Sequence, residues 1–125
     1  MYKIKSSEEV IQFLETKSFR ELQKEIMYWA FSVEECKKLI EYFLSMDCVI
    51  IGLTILEINK NTKELDLAYA WWNFKYTVLE NSSSESSANA LNYLNSDFIV
   101  NSENELYVDI YPELLTLYLK QNKIK

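Results

Sequence analysis

The first 46 residues repeat their apolar positions with the 3.6-residue period of an α-helix. In the segment EEVIQFLETK, which follows Ser7, the apolar positions form one stripe along a helix. Ser-x-x-Glu pairs begin at Ser18 and Ser32 and have the spacing of a capping box, in which the serine oxygen and the glutamate carboxylate satisfy amides of the first turn. The pattern predicts three helices: one after Ser7, one near 19–30 and one near 33–46.

Beyond Asp47 the pattern changes to that of β-strands. The stretch CVIIGLTILEI, 48–58, is β-branched and apolar on both faces, which predicts a central strand covered on both sides. A polar, Asn-rich turn at 59–64 separates it from LDLAYAWWNFKYTVL, 65–79. Two strand patterns joined by a short polar connection predict an antiparallel hairpin.

Both faces of the second predicted strand carry aromatic side chains. Because side chains alternate along a strand, Tyr69 and Trp71 share one face while Trp72, Phe74 and Tyr76 share the other. A small domain normally covers only one face of a strand with its own core. Either the rest of the chain covers both faces, or one face is reserved for a partner.

The C-terminal third leaves one alternative open. The segment NSSSESSA is either a mobile loop or the start of a short helix through ALNYL, capped by Ser84 or Ser86. The apolar stretches 98–100 and 106–111 flank the polar segment NSENE and predict a second hairpin. Pro112 suits the first turn of a last helix, ELLTLYLKQN.

This order of elements predicts an α+β fold: N-terminal helices followed by a mainly antiparallel sheet, with a further helix and a C-terminal helix. The 125 residues show no repeat and no linker, so we expect a single domain over 1–125. No apolar run approaches the roughly 20 residues of a membrane-spanning helix. The start MYKIKSSEEV lacks the apolar core of a signal peptide. A cytoplasmic protein without membrane contact is expected.

The residue types present exclude much catalytic chemistry. The chain has no histidine, so it cannot form a Ser-His or Cys-His nucleophile pair or a histidine-ligated metal site. Cys36 and Cys48 are expected to be buried, reduced thiols, and no metal or cofactor is expected. Three carboxylates on predicted strands, Glu57, Asp66 and Asp109, could form a hydrolytic pair if they met in space. The simpler interpretation is that such acids face solvent.

The charge of the chain is negative and unevenly distributed. The formal net charge is −6, which argues against nucleic-acid binding because that needs a basic surface. No lysine or arginine lies between Lys75 and Lys120. A one-sided negative field of this kind steers a basic partner, as an inhibitor of a basic enzyme would require. The seven acids of this interval are Glu80, Glu85, Asp97, Glu103, Glu105, Asp109 and Glu113.

The stretch from Cys48 to Ser96 resembles the immunity proteins of bacterial polymorphic-toxin and contact-dependent inhibition systems, especially the immunity protein 40 group. The resemblance is carried by Gly52 in the apolar strand, by Tyr69 and Trp72 in YAWW after a polar turn, and by the segment SSSESSANALNYL. It implies binding without catalysis. The protein would act in the cytoplasm, bind the toxic C-terminal domain of a cognate toxin and block its active or substrate-binding surface.

Under this interpretation the toxin domain is a basic nuclease and the contacts are aromatic anchors surrounded by acids. A self-associating interaction module, joined through the aromatic strand, is the alternative, and the oligomeric state stays open. The predicted contact residues are Trp71, Trp72, Tyr76, Glu80, Glu85, Glu103, Glu105 and Asp109.

Overall fold

A computed structural model describes residues 3–16, 29–58, 61–63 and 65–123, without the side chains of 66–69 and 123. In chain order its elements are β1 Lys3–Ile4, α1 Ser7–Thr16, β2 Trp29–Ser32, α2 Val33–Ser45, β3 Cys48–Ile58, β4 Leu65–Asn73, a 3₁₀ turn Leu79–Asn81, α3 Ser82–Leu94, α4 Asp97–Val100, β5 Leu106–Leu114 and α5 Leu115–Lys123. Five strands form one sheet in the order β1-β2-β5-β3-β4. All described pairings are antiparallel except β1 with β2. The predicted α+β class is confirmed.

Two of the three predicted N-terminal helices are present, as α1 and α2. Most of the predicted helix near 19–30, including its capping box at Ser18, lies outside the described residues. Its last residues were predicted wrongly, because Trp29 begins β2. The cause is a long-range contact: β2 pairs with β5, with Phe31 opposite Val108, and this pairing overrides the local helical spacing.

The capping box predicted at the start of α2 is only half formed. Ser32 Oγ accepts the backbone N–H of Glu35 at 3.2 Å, as predicted. The carboxylate of Glu35 does not turn back to Ser32 among the described contacts. It accepts the backbone N–H of Ser7 at 2.6 Å and also the Ser7 hydroxyl. Ser7 is fully buried at the first position of α1, where the backbone amide has no partner within the helix, so this bridge joins the starts of two helices.

The β3–β4 hairpin is confirmed, and β3 has the predicted bounds. Strand β4 ends at Asn73, six residues before the predicted end at 79. The backbone N–H of Phe74 still donates to Ile51 O at 2.9 Å, but pairing stops there. A register shift beside Ala70 separates the well-paired end of β4 from its first half.

The second predicted hairpin is wrong. Residues 98–100 belong to the single-turn helix α4, in which only Ile99 is buried. Strand β5 instead lies in the middle of the sheet, between β2 and β3. The local pattern of apolar and polar residues could not reveal the position of β5, because both of its neighbouring strands come from distant parts of the chain.

Pro112 lies inside β5 and not in the first turn of the last helix, which begins at Leu115. It pairs with Ile50 at a register shift of the β3–β5 ladder, where its missing N–H is tolerated. The backbone N–H of Ile50 donates to Ser86 Oγ at 2.9 Å. Ser86 of α3 thus accepts a hydrogen bond from the β3 backbone at the register shift, where pairing within the sheet is irregular.

The serine-rich segment is helix α3 and not a loop. Neither Ser84 nor Ser86 caps it; the N-cap residue is Asn81, which makes no side-chain cap bond. Ser83 Oγ donates to Cys48 O at 3.1 Å, so the helix is hydrogen-bonded to the β3 backbone at two points. Small side chains let α3 approach the sheet closely. The buried serines are Ser82, Ser83, Ser86 and Ser87.

The core lies between one face of the sheet, here called the core face, and the helices α1, α2 and α3. Phe31, Leu39 and Phe43 are among its fully buried side chains. Cys36 and Cys48 are buried free thiols, as predicted. Burial raises the pKa of Cys36, and it raises the pKa of Cys48 to about 12. Among the described helices, none is long and apolar enough to cross a membrane.

Candidate protein-binding site at the edge of the sheet

Strand β4 lies at one end of the sheet, and its outer edge has no strand partner among the described residues. Trp71 pairs with Thr54 and Trp72 with Leu53, so the two consecutive tryptophans lie on opposite faces. Leu53 belongs to the core, which places Trp72 on the core face. The opposite face, which carries Trp71 and Thr54, is called the Trp71 face. A partner at this edge would meet an indole on either side.

Trp71 is 70% exposed, the largest exposure among the large apolar side chains of the described residues. Beside it, Thr54 Oγ1 donates to the Tyr111 hydroxyl at 3.3 Å, and that hydroxyl donates to Asp109 Oδ2 at 2.9 Å. The exposed indole therefore stands next to a chain of hydrogen bonds that leads into the sheet. Strand pairing holds the backbone of Trp71 in place while its ring stays accessible.

Asp109 was predicted as a surface contact, and the structure contradicts this. Its side chain is fully buried, on the same cross-strand row as Thr54 and Trp71. The hydrogen bond from Tyr111 stabilises it there. Asp109 thus orients the Tyr111 ring and does not itself reach a partner.

The carboxylate pair considered for hydrolysis is not assembled from Glu57 and Asp109. The two residues lie on opposite faces, because Asp109 pairs with Thr54, and Glu57 lies three positions after Thr54 on a stretch regularly paired with β5. The side chain of Asp66 lies outside the described part of the structure. Within that part, no group of three or more carboxylates and thiols could hold a metal ion.

Trp72, also predicted as an anchor, belongs to a continuous line of rings, here called the aromatic row. Its ring stacks on Tyr93 at 6.3 Å and an interplanar angle of 30°, and it packs against the core. Successive ring centroids along the row are 5.5 to 6.3 Å apart. The members in order are Phe98, Tyr93, Trp72, Phe74, Tyr118 and Tyr76.

One end of the aromatic row lies where β3 begins and β4 ends, here called the Cys48 end of the sheet. Tyr76 is 43% exposed there and meets Tyr118 edge-on. The Glu85 carboxylate accepts the backbone N–H of Thr77 at 2.9 Å and its hydroxyl at 2.8 Å, which positions Glu85 next to Tyr76. Glu80 is exposed in the 3₁₀ turn nearby. Three of the predicted contact residues, Tyr76, Glu80 and Glu85, therefore come together.

Glu103 and Glu105 lie at the opposite end of the sheet, just before β5, and both are exposed. Tyr107 donates to Glu105 Oε1 at 2.7 Å, and this bond is the main cause that raises the pKa of Tyr107 to about 12. Val49, opposite Glu113, and Glu57, opposite Leu106, are eight positions apart along β3, which corresponds to about 26 Å. The acids predicted to surround the aromatic anchors therefore form two separate groups.

Five ring residues of this region were not predicted as site residues: Phe74, Tyr93, Phe98, Tyr111 and Tyr118. Tyr93 has the helical spacing of a core position on α3, and Tyr118 that of a core position on α5. Only the docking of these helices beside β4 brings the rings into one row. Their absence from the prediction has a physical cause, because local spacing does not determine which distant elements meet.

A surface depression of about 360 Å³ lies between α2, α3 and α4. Its charged lining residues, Glu34 and Lys37, pair with each other at 3.2 Å, which leaves an apolar floor that includes Leu94 and Ile99. Neither Trp71 nor any of the predicted contact acids lines it. The edge of the sheet is therefore the stronger candidate site.

The resemblance to immunity proteins placed Gly52 on the first strand of the hairpin and Trp72 on the second, and both lie there in the structure. The geometry of a hairpin followed by a serine-rich helix is common to many folds and does not identify a family. The chain matches no protein-family model, no curated protein and no solved structure, so the resemblance stays a prediction.

Proposed function

We propose that this chain is an immunity protein, which binds a basic toxin domain in the cytoplasm at its β4 edge and masks the active or substrate-binding surface of that domain. The observation that carries the proposal is the exposure of Trp71, an indole that is 70% accessible although its strand is paired on both sides of it. A large, rigid ring of this kind is a typical binding hot spot because few torsions are frozen on contact.

The charge of the chain supports a basic partner. Glu80, Glu103 and Glu105 are exposed at the two ends of the sheet, and no lysine or arginine occurs from 76 to 119. Carboxylates at the rim of an interface contribute to the association rate and to specificity more than to affinity. Trp71 would provide affinity, and the acids would guide a Lys- and Arg-rich surface towards it.

The experiment that tests the proposal is a growth assay. The chain is co-expressed with the C-terminal toxin domain encoded by the gene immediately upstream. Rescue of growth, lost when the chain is omitted, is the expected result. Failure to rescue, with both proteins soluble and the upstream domain toxic by itself, would overturn the proposal.

Replacing the indole tests its role as the anchor. We expect Trp71→Ala to weaken toxin binding by about 30-fold, the equivalent of roughly 2 kcal/mol for a hot-spot residue. Ile4→Ala is the matched control, because Ile4 is also an exposed apolar side chain but lies at the opposite edge of the sheet. Isothermal titration calorimetry with the purified toxin domain measures both variants, and equal affinities for wild type and Trp71→Ala would contradict the assignment.

The open edge of β4 supports a second candidate function, a module that associates with its own copy. An exposed strand edge is a template for pairing with another chain. Sedimentation of the purified protein separates the two: a dimer that dissociates on Trp71→Ala supports self-association. Trp71 and not Trp72 is the residue to replace, because Trp72 packs against the core and its loss would perturb the fold.

A further inference from the structure

The Tyr76 end of the aromatic row combines two features that suit the binding of a cation. Tyr76 and Tyr118 meet edge-on, with ring centroids 6.2 Å apart and an interplanar angle of 88°. Tyr76 is 43% exposed, so part of its ring is accessible, while Tyr118 is buried. The negative face of an aromatic ring attracts an ammonium or guanidinium group.

Two carboxylates lie at the same end of the sheet as this pair of rings. The hydrogen bonds from Thr77 hold Glu85 beside Tyr76. Glu113 lies on β5 opposite Val49, at the same Cys48 end of the sheet, two residues before α5 begins. Both carboxylates are partly buried.

The electrostatics support this proximity. Burial raises the pKa of Tyr118, and the side chains of Tyr76, Glu113 and Glu85 raise it further. Burial also raises the pKa of Glu113. None of the ion pairs among the described residues includes Glu85 or Glu113, so no described lysine neutralises either carboxylate.

We propose that Tyr76, Tyr118, Glu85 and Glu113 form a recognition site for a lysine or arginine side chain of the partner. The cation lies against the exposed face of Tyr76, and the two carboxylates compensate its charge. Charge complementarity selects this occupant: an apolar side chain would leave the carboxylates uncompensated, and an acidic one would be repelled. The site rests on the proposed function in that the basic toxin domain supplies the cation.

The test uses the full chain with ¹³C-labelled tyrosine rings and a short probe peptide, acetyl-Gly-Arg-Gly-Arg-Gly-amide, at physiological salt. We expect the ring signals of Tyr76 and Tyr118 to shift saturably during the titration. The same peptide with glutamine in place of arginine is expected to leave them unchanged. A wild-type protein whose Tyr76 and Tyr118 signals do not move with the arginine peptide would overturn the site.

Two double variants separate this site from general attraction to an acidic protein. Glu85→Gln with Glu113→Gln removes two charges at the Cys48 end, and Glu103→Gln with Glu105→Gln removes two at the opposite end. We expect the first pair to weaken peptide binding about fivefold and the second to change it little, because charges about 26 Å away are screened. Equal losses would mean non-specific attraction and overturn the site.

Tyr76→Leu is the variant that tests the ring itself. It keeps an apolar side chain at an exposed position and is expected to weaken peptide binding by a few-fold, since only the ring attracts a cation through its π-face. Unchanged binding would contradict the aromatic part of the site. The peptide experiment contains no toxin, so its failure leaves the growth assay as an independent test of immunity. Conversely, peptide binding without rescue would retain the site and remove the immunity function.

Discussion

At the scale of single residues, what surrounds each side chain decides its role more than what the side chain is. Trp71 and Trp72 are identical and adjacent, yet one is exposed and the other packs against the core, because strand alternation turns them to opposite faces. Asp109 and Glu105 are both acids of the same region. Asp109 is buried behind a tyrosine hydroxyl, while Glu105 is exposed. In each pair the exposed member offers more surface to a partner.

Gly52 is a residue whose replacement should destabilise the fold. A Cβ atom at this position would lie 3.0 Å from Trp72 O and 3.0 Å from Asn73 Oδ1. We expect Gly52→Ala to lower the free energy of unfolding by about 1 kcal/mol, since the strain of overpacking outweighs the lower backbone entropy of alanine in the unfolded chain. Urea unfolding measures the change.

The close approach of the Asn73 side chain to position 52 provides a control. In a background of Asn73→Ala, one of the two close contacts is absent, and only the backbone oxygen of Trp72 remains. Gly52→Ala should then cost less than in the wild-type chain. If alanine at 52 stabilised the protein in either background, close packing would not be the reason for glycine at this position.

At the scale of elements, side chains join helices to each other and to the sheet through specific hydrogen bonds. Glu35 bridges α2 to the start of α1, and its bonds with Ser7 lower the pKa of the Glu35 carboxyl. Ser86 of α3 satisfies the β3 backbone at Ile50. Each contact joins a helix to another element, and the local sequence pattern does not predict either pairing.

The Glu35 bridge predicts a pH dependence of stability. Because the folded pKa of Glu35 lies below its unfolded value, its contribution is complete above about pH 4.5 and is lost as pH falls through the folded pKa. Glu35→Gln should therefore lose less stability than the wild type between pH 7 and acidic pH. Thermal unfolding across this range measures it. Glu34→Gln, an exposed neighbour, is the control and should retain the wild-type slope.

The bond from Ser86 to the sheet predicts a cost for its removal. Ser86→Ala leaves the buried N–H of Ile50 without its acceptor, which should lower the free energy of unfolding by about 1–3 kcal/mol. Ser84→Ala is the matched control on the exposed side of α3, where its hydroxyl donates only to Asn81 O. Denaturant unfolding measures the free energy of unfolding of both variants. If both lowered it by the same small amount, the backbone N–H of Ile50 would have another acceptor in the Ser86→Ala variant.

At the scale of the whole molecule, the negative charge is concentrated in the second half of the chain but lies at both ends of the sheet. If a basic partner docks at the β4 edge, its association should be fast at low salt and slow as ionic strength rises. We expect Glu103→Gln with Glu105→Gln to slow association several-fold at low salt, with a smaller effect on dissociation. Stopped-flow measurement of the tryptophan fluorescence at several salt concentrations would give the rates.

A second pair of acids controls for net charge in that measurement. Glu8→Gln with Glu9→Gln removes the same two charges from exposed positions on α1, in the helical layer. If both pairs slowed association equally, steering would depend on total charge alone. If only the pair before β5 did so, the acids at the end of the sheet would form part of the approach path.

The sequence by itself determined the elements whose signals are local. The apolar run rich in β-branched residues set both ends of β3, the serine at 32 marked the start of α2, and the lack of histidine excluded whole classes of site. The burial of both cysteines also followed from residue type. These properties depend on short-range period, capping chemistry and composition, which are visible without knowledge of any distant contact.

The tertiary structure alone decided what depends on distant neighbours. It placed β5 between β2 and β3, turned residues 98–100 into a helix, put Pro112 inside a strand and buried Asp109. It also aligned rings from β4, α3, α4 and α5 into the aromatic row. The physical reason is the same in each case. Burial and strand pairing depend on contacts between segments far apart in the chain, and these contacts override the weaker local preferences.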